Sequence, residues 1–144
     1  MYFLWMKEAE KSMTDFVAVI LAAGKGTRMK SALPKVLHRV GGKPMLAHVL
    51  AAAEKAGARR RIAVVGFGAE QVTEIIGPAA EFVIQAEQLG TGHAVMQARE
   101  ALAGYTGTVM VLCGDTPLLT ADLLGRFYAA HRQAGAEATV LTAV

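Results

Sequence analysis

Short apolar runs alternate along this chain with segments whose apolar residues recur at helical spacing. Residues 16–21, Phe-Val-Ala-Val-Ile-Leu, form an unbroken and largely β-branched run, the pattern of a strand covered on both faces. Residues 61–65, 81–85, 108–112 and 137–144 read as further strands, with 108–112 again buried. Between them, Met45, Leu46, Val49, Leu50 and Ala53 place an apolar stripe on a helix over 44–56. Pro44 suits its first turn and Gly57 its end. Residues 69–76 give a second helix, and 92–102 a third with Ala94, Val95, Ala98 and Leu102 inward. Residues 120–134 give a fourth, capped by Thr120 with Asp122 in its first turn. Five strands alternating with four helices over such short connections imply parallel strands, right-handed crossovers and helices on both faces. The expected fold is a Rossmann-like, doubly wound α/β domain with a mostly parallel sheet. In such a sheet ligands bind outside the carboxyl ends of the strands. Three segments rich in chemistry fall at such ends.

The first of these is Leu21-Ala22-Ala23-Gly24-Lys25-Gly26-Thr27-Arg28-Met29, followed by Pro34-Lys35. It turns an apolar strand into a glycine-rich loop with cations at Lys25, Arg28 and Lys35. Gly24 and Gly26 free the backbone to turn and bring N–H groups to a ligand. Arg28 offers a planar fork to phosphate oxygens, and Lys35 a compact point charge. The spacing is neither that of the Walker A loop nor that of the G-x-G-x-x-G dinucleotide loop.

The second segment, Gln85-Ala86-Glu87-Gln88-Leu89-Gly90-Thr91-Gly92-His93-Ala94, leaves a strand and opens a helix through two glycines. Gln85 carries a donor and an acceptor, the equipment for reading the edge of a uracil or thymine. Gly90 and Thr91 let a base approach the backbone. In the third, Leu112-Cys113-Gly114-Asp115-Thr116-Pro117-Leu118, a carboxylate follows a strand on a glycine turn. Magnesium is commonly held by one or two carboxylates together with substrate phosphates and water, so Asp115 is the candidate metal ligand.

Composition narrows the classes. With 144 residues, 53% hydrophobic and 19% charged, the chain has enough material for one domain with a real core. No apolar run approaches the roughly 18 residues of a membrane helix. The net charge of +3 is modest and scattered, which suits small anionic substrates better than nucleic acid. The exception is Arg59-Arg60-Arg61, expected as a solvated turn before a strand. Cys113 is the single cysteine; this excludes an intrachain disulfide and fits a reducing, cytoplasmic setting. His38, His48, His93 and His131 lack metal spacing. Residues 1–12 are expected to be a loose tail, with the folded unit over 13–144.

These motifs together resemble the sugar-nucleotide pyrophosphorylases. Within that group, 19–38, 83–94 and 111–118 are most similar to the uridylyltransferase domain of the bifunctional bacterial enzymes that make UDP-N-acetylglucosamine. The run at 85–94 is the most discriminating part. The resemblance implies the nucleotide-diphospho-sugar transferase fold and transfer of UMP from UTP to N-acetylglucosamine 1-phosphate with release of pyrophosphate. It assigns Leu21, Ala22, Ala23 and Gly24 to the uridine and Arg28 and Lys35 to the phosphates. Gln85, Gly90 and Thr91 fall to the uracil, Cys113 and Gly114 to the nucleotide-binding turn, and Asp115 to Mg2+. Cys113 stands where the family usually has tyrosine. The resemblance also implies a longer parent, trimeric in the family, whose remaining sugar-binding half, metal-completing asparagine and acetylating β-helix lie beyond this chain. Two other readings stay open: another sugar-1-phosphate nucleotidyltransferase, or a nucleotide-binding module without catalysis.

Overall fold

Phe16–Ala22 becomes the central strand, β1, because nearly all of its side chains are apolar and buried, whichever face they take. The computed structural model describes residues 15–142. Around β1 lie β4 (Ala58–Val65), β5 (Glu81–Ile84) and β6 (Thr108–Cys113), in the spatial order β5-β4-β1-β6. All neighbours in this sheet are parallel. A small hairpin, β2 (Arg39–Val40) with β3 (Lys43–Pro44), stands apart from it. Its turn residues Gly41 and Gly42 both have positive φ, 56° and 83°, which tight two-residue hairpins require.

The helices are α1 (Met45–Lys55), α2 (Ala69–Ile76), α3 (Thr91–Gln97) and α4 (Ala121–Ala134). Strand alternation sorts them into two layers. Phe16, Ala18, Ile20 and Ala22 meet Leu46 and Val49 of α1, Val72 of α2 and Leu124 and Tyr128 of α4. The ring of Phe16 lies 5.7 Å from that of Tyr128, centre to centre. Val17 and Val19 point the other way, with Ile62 and Val64, onto Ala94 and Ala98. The doubly wound arrangement expected from the sequence is therefore the one found. Thr120 caps α4 as expected, its hydroxyl oxygen accepting from the N–H of Leu123 at 3.2 Å.

Three expectations are corrected. Residues 137–142 form no strand: Val140 and Leu141 are exposed and pair with nothing, and residues 143–144 lie outside the described part. β6 is consequently an edge strand among the described residues and is buried on one face only. Met110 and Leu112 face the core, whereas Val109 and Val111 remain 38% and 45% exposed. The third helix ends at Gln97 and continues as turns to Gly104; tight bonds from Ala98 N to Val95 O and Arg99 N to Met96 O, both 3.1 Å, replace the helical ladder. The expected tail, 1–12, falls outside the described residues.

The arginine run is the third correction. Arg59, Arg60 and Arg61 sit inside β4, and each has an acidic partner. Arg60 grips Glu81 of β5 with two bonds, Nε to Oε1 at 2.8 Å and Nη2 to Oε2 at 2.6 Å. Its Nη1 donates to the carbonyl of Ala101 at 2.8 Å. Arg61 reaches back to the carbonyl of Ala79 at 3.0 Å. These side chains tie β4 to β5 and to the segment after α3. No helix among the described residues is long and apolar enough to cross a membrane.

The guanidinium of Arg60 hydrogen-bonded to Glu81 holds the Glu81 carboxyl below the usual carboxylate range. The linked stability is present above the unfolded-state value and is lost as pH falls through the lower folded-state value. The pair is half solvated, so Glu81→Gln is expected to cost only about 0.5–1 kcal/mol at neutral pH. In urea titrations the gap between the two proteins should close as pH is taken below the ordinary carboxylate range.

Candidate functional site

The chain runs from β1 outward to β4 and β5, then returns to place β6 on the other side of β1. This reversal opens a crevice at the carboxyl ends of β1 and β6, the position at which open parallel sheets bind ligands. A cleft of about 490 Å³ occupies it. Its lining includes Leu21, Ala22, Ala23, Gly24, Arg28, Lys35, Gln85, Gly90, Thr91, Cys113 and Asp115. Gly114, the remaining residue singled out from the sequence, lies just behind the wall. Its N–H donates to Leu21 O at 2.9 Å. A Cβ at Gly114 would stand 2.9 Å from that same oxygen and 3.3 Å from Val36 and Leu46. Only glycine lets the two strand ends come this close.

Beyond β1 the loop passes over the stem of Lys35. Gly26 takes φ 61°, and a Cβ there would fall 2.7 Å from Lys35 Cβ, so position 26 excludes side chains on both counts. Arg28 stands exposed on the short turn Thr27–Met29 at the cleft rim. Lys25 does not line the cleft. Pro34 is fully buried and starts the turn Lys35–Leu37, which directs the Lys35 side chain across to β6. There its Nζ meets Asp115 Oδ2 at 2.6 Å. The candidate phosphate cation and the candidate metal ligand are thus partners of each other. Both are about one-third exposed, and such a part-solvated pair is cheap to exchange for other partners.

Gln85 is 4% exposed and follows directly on β5, its N–H bonded to Val65 O at 2.7 Å. Its side chain departs from expectation. The Nε2 group donates to Gly90 O at 3.3 Å and approaches His93 Nδ1 at 2.9 Å. The amide nitrogen is thus occupied within the protein by Gly90 and the His93 ring, which leaves the carboxamide oxygen as the group with capacity to spare. Gly90 precedes α3 with φ 104°, a conformation that favours glycine. Thr91 is the first residue of that helix and makes no cap with its side chain.

The sequence reading passed over Gln88, which also lines the cleft and whose Nε2 donates to Ala23 O at 2.7 Å. Gly26, read from the sequence as freeing the backbone of this loop, lines the cleft with its neighbours Thr27 and Met29, and Val36 and Ala94, to which the sequence assigns no role at a site, join them. Their proximity depends on the fold. The glutamine was visible in its motif, but nothing in a linear chain points from it to residue 23.

Among the described residues no three His, Cys, Asp or Glu side chains gather to hold a metal. Asp115 alone does not make a resident metal site. One carboxylate at the mouth of a cleft with two cations fits an ion that arrives coordinated to phosphates.

The model of the MobA-like NTP transferase domain matches residues 18–144. The chain belongs to that family. This NTP transferase domain is 56% identical over 129 residues to the bifunctional protein GlmU of Pelotomaculum thermopropionicum, an alignment covering 90% of this chain and 28% of that protein. It matches the amino-terminal part of GlmU and spans less than a third of the length of such relatives. Among solved structures, HddC from Yersinia pseudotuberculosis superposes with a TM-score of 0.67 at 28% identity, covering 83% of this chain and 54% of that one. Rv0371c from Mycobacterium tuberculosis, solved as a complex with manganese, superposes at 0.68 with 22% identity, covering 84% and 61%; at that identity the likeness speaks for the fold.

In this NTP transferase domain Gly24, in the cleft, and Gly114, behind its wall, should respond differently to a methyl group. Gly114→Ala must push a main-chain oxygen aside and is expected to destabilise by about 1–3 kcal/mol. Gly24→Ala meets nothing within 4 Å and should leave stability nearly unchanged. Urea unfolding of both variants measures the contrast.

Proposed function

We propose that this domain binds UTP in the cleft and transfers its UMP to N-acetylglucosamine 1-phosphate, giving UDP-N-acetylglucosamine and pyrophosphate. The observation that carries this reading is that Arg28, Lys35 and Asp115 share one cleft with the buried Gln85, in a chain 56% identical to GlmU. The two cations and the carboxylate suit the polyphosphate end of a nucleotide, and the uncharged, nearly buried Gln85 suits its base.

The free oxygen of Gln85 accepts the N3–H of uracil. Cytosine carries a bare acceptor nitrogen at that position, so it would set two acceptors against each other. Leu21 to Gly24 lie along the uridine, and the Cys113–Asp115 turn closes the opposite side. As the phosphates enter, Lys35 leaves Asp115 for a phosphate oxygen, and Arg28 takes others with its fork. With Lys35 on the phosphates, Asp115 would be the residue free to hold a Mg2+ ion. That ion, when bound, supplies further neutralisation of phosphate charge.

An oxygen of the sugar 1-phosphate attacks the α-phosphorus in line. A new phosphorus–oxygen bond forms as the bond to the bridging α–β oxygen breaks, and the electron pair leaves with pyrophosphate. The nucleophile is already anionic near neutral pH, so no general base is required. The protein contributes alignment of the two phosphates and stabilisation of the charge that gathers on the leaving oxygen.

Two measurements test this. Pyrophosphate release from UTP, N-acetylglucosamine 1-phosphate and Mg2+ should exceed background, and Arg28→Ala should lower kcat by ~10². UTP binding without release supports the nucleotide site alone and removes the transferase reading for this length of chain; absence of UTP binding overturns both. In calorimetry UTP should bind at least tenfold more tightly than CTP, and equal affinities would remove the role given to Gln85.

A further inference from the structure

The carbonyl of Ala23 is held from two sides. It accepts from Gln88 Nε2 at 2.7 Å, from a residue 65 positions along the chain, and from the N–H of Phe67 at 3.3 Å. Gly66 packs beneath it, where a Cβ would stand 3.1 Å from Ala23 O and 3.0 Å from Gln85 O. The loops that follow β4 and β5 therefore converge on one peptide oxygen of the loop that follows β1.

Gln88 is itself held ready. The Gln85 side chain bonds to Gly90 O and so closes the short loop on which Gln88 rides. Gln88 then crosses to Ala23 from a segment whose two ends are already fixed.

A planar trans peptide has its C=O and N–H pointing in opposite directions, and no described peptide is cis. Fixing the Ala23 oxygen toward the β4 and β5 loops turns the Gly24 N–H away from them. Gly24 lines the cleft, and nothing lies within 4 Å of where its Cβ would be. The geometry points to Gln88 as a positioning residue: by holding the Ala23 carbonyl it aims the Gly24 N–H at the nucleotide, joining the base-binding and phosphate-binding loops into one preorganised wall. This rests on the cleft being the nucleotide site.

Gln88→Met keeps the length of the side chain and removes the donor, and Gln88→Ala removes the reach as well. In the ligand-free protein both variants are expected to shift the Ala23 carbonyl 13C and Gly24 amide 15N resonances. Both should weaken UTP binding about tenfold, the scale of one lost hydrogen bond, with the UTP-to-CTP ratio unchanged and Tm lowered by a few degrees at most. Unmoved resonances with weakened binding would mean that Gln88 touches the nucleotide itself, and would overturn the proposal. UTP affinity within twofold of the parent would also overturn it, whatever the resonances do. If the unsubstituted chain binds no UTP, the nucleotide reading falls and this role with it, an outcome seen before any variant is made.

Discussion

A single main-chain hydrogen bond, Gly114 N to Leu21 O at 2.9 Å, sets the width of the crevice on which the site depends. It prolongs the β1–β6 ladder one step past the last strand residue, at the point where the chain reverses its direction across the sheet. Because no Cβ fits between these two segments, Asp115 emerges close enough to Lys35 for a 2.6 Å contact. The cations of one loop and the carboxylate of another then act on the same space. A wider junction would leave them as unrelated surface charges.

The burial of β1 supplies the rigidity for this arrangement. A strand covered on both faces transmits its position to both helix layers, through Phe16, Ala18 and Ile20 on one side and Val17 and Val19 on the other. The loops themselves carry few apolar anchors, Pro34 being the clearest. Rigid strands, glycine-bearing loops and part-solvated charges divide the labour: the first fix location, the second permit approach, and the third can change partners.

Much of this was legible in the chain. The period of the apolar residues located the four strands of the main sheet and all four helices, because local periodicity and buried faces agree there. The site residues were legible as motifs at strand ends, since the doubly wound topology sends those ends to one place. What stayed hidden was which groups the folded chain sets against each other. Arg59 to Arg61 look like a solvated turn until Asp15, Glu54 and Glu81 are placed beside them. Gln85 carries both donor and acceptor on paper, yet folding turns its amide nitrogen toward Gly90 and His93. Residues 137–142 have strand composition, but a strand exists only with a neighbour to pair with. In the first case the missing information was a set of partners that only the fold brings alongside, in the second the way the chain bends back on itself within one motif, and in the third whether a neighbouring strand is present at all.

The exposed flank of β6 has a consequence of another kind. Val109, Val111 and Cys113 alternate along one side of a strand that, among the described residues, carries a neighbour only at β1. Such a rim offers main-chain donors and acceptors, together with oily side chains, to whatever strand drifts past. Among the described residues, this rim is a place where the sheet is open to growth by one more strand, whereas its interior is closed on both faces.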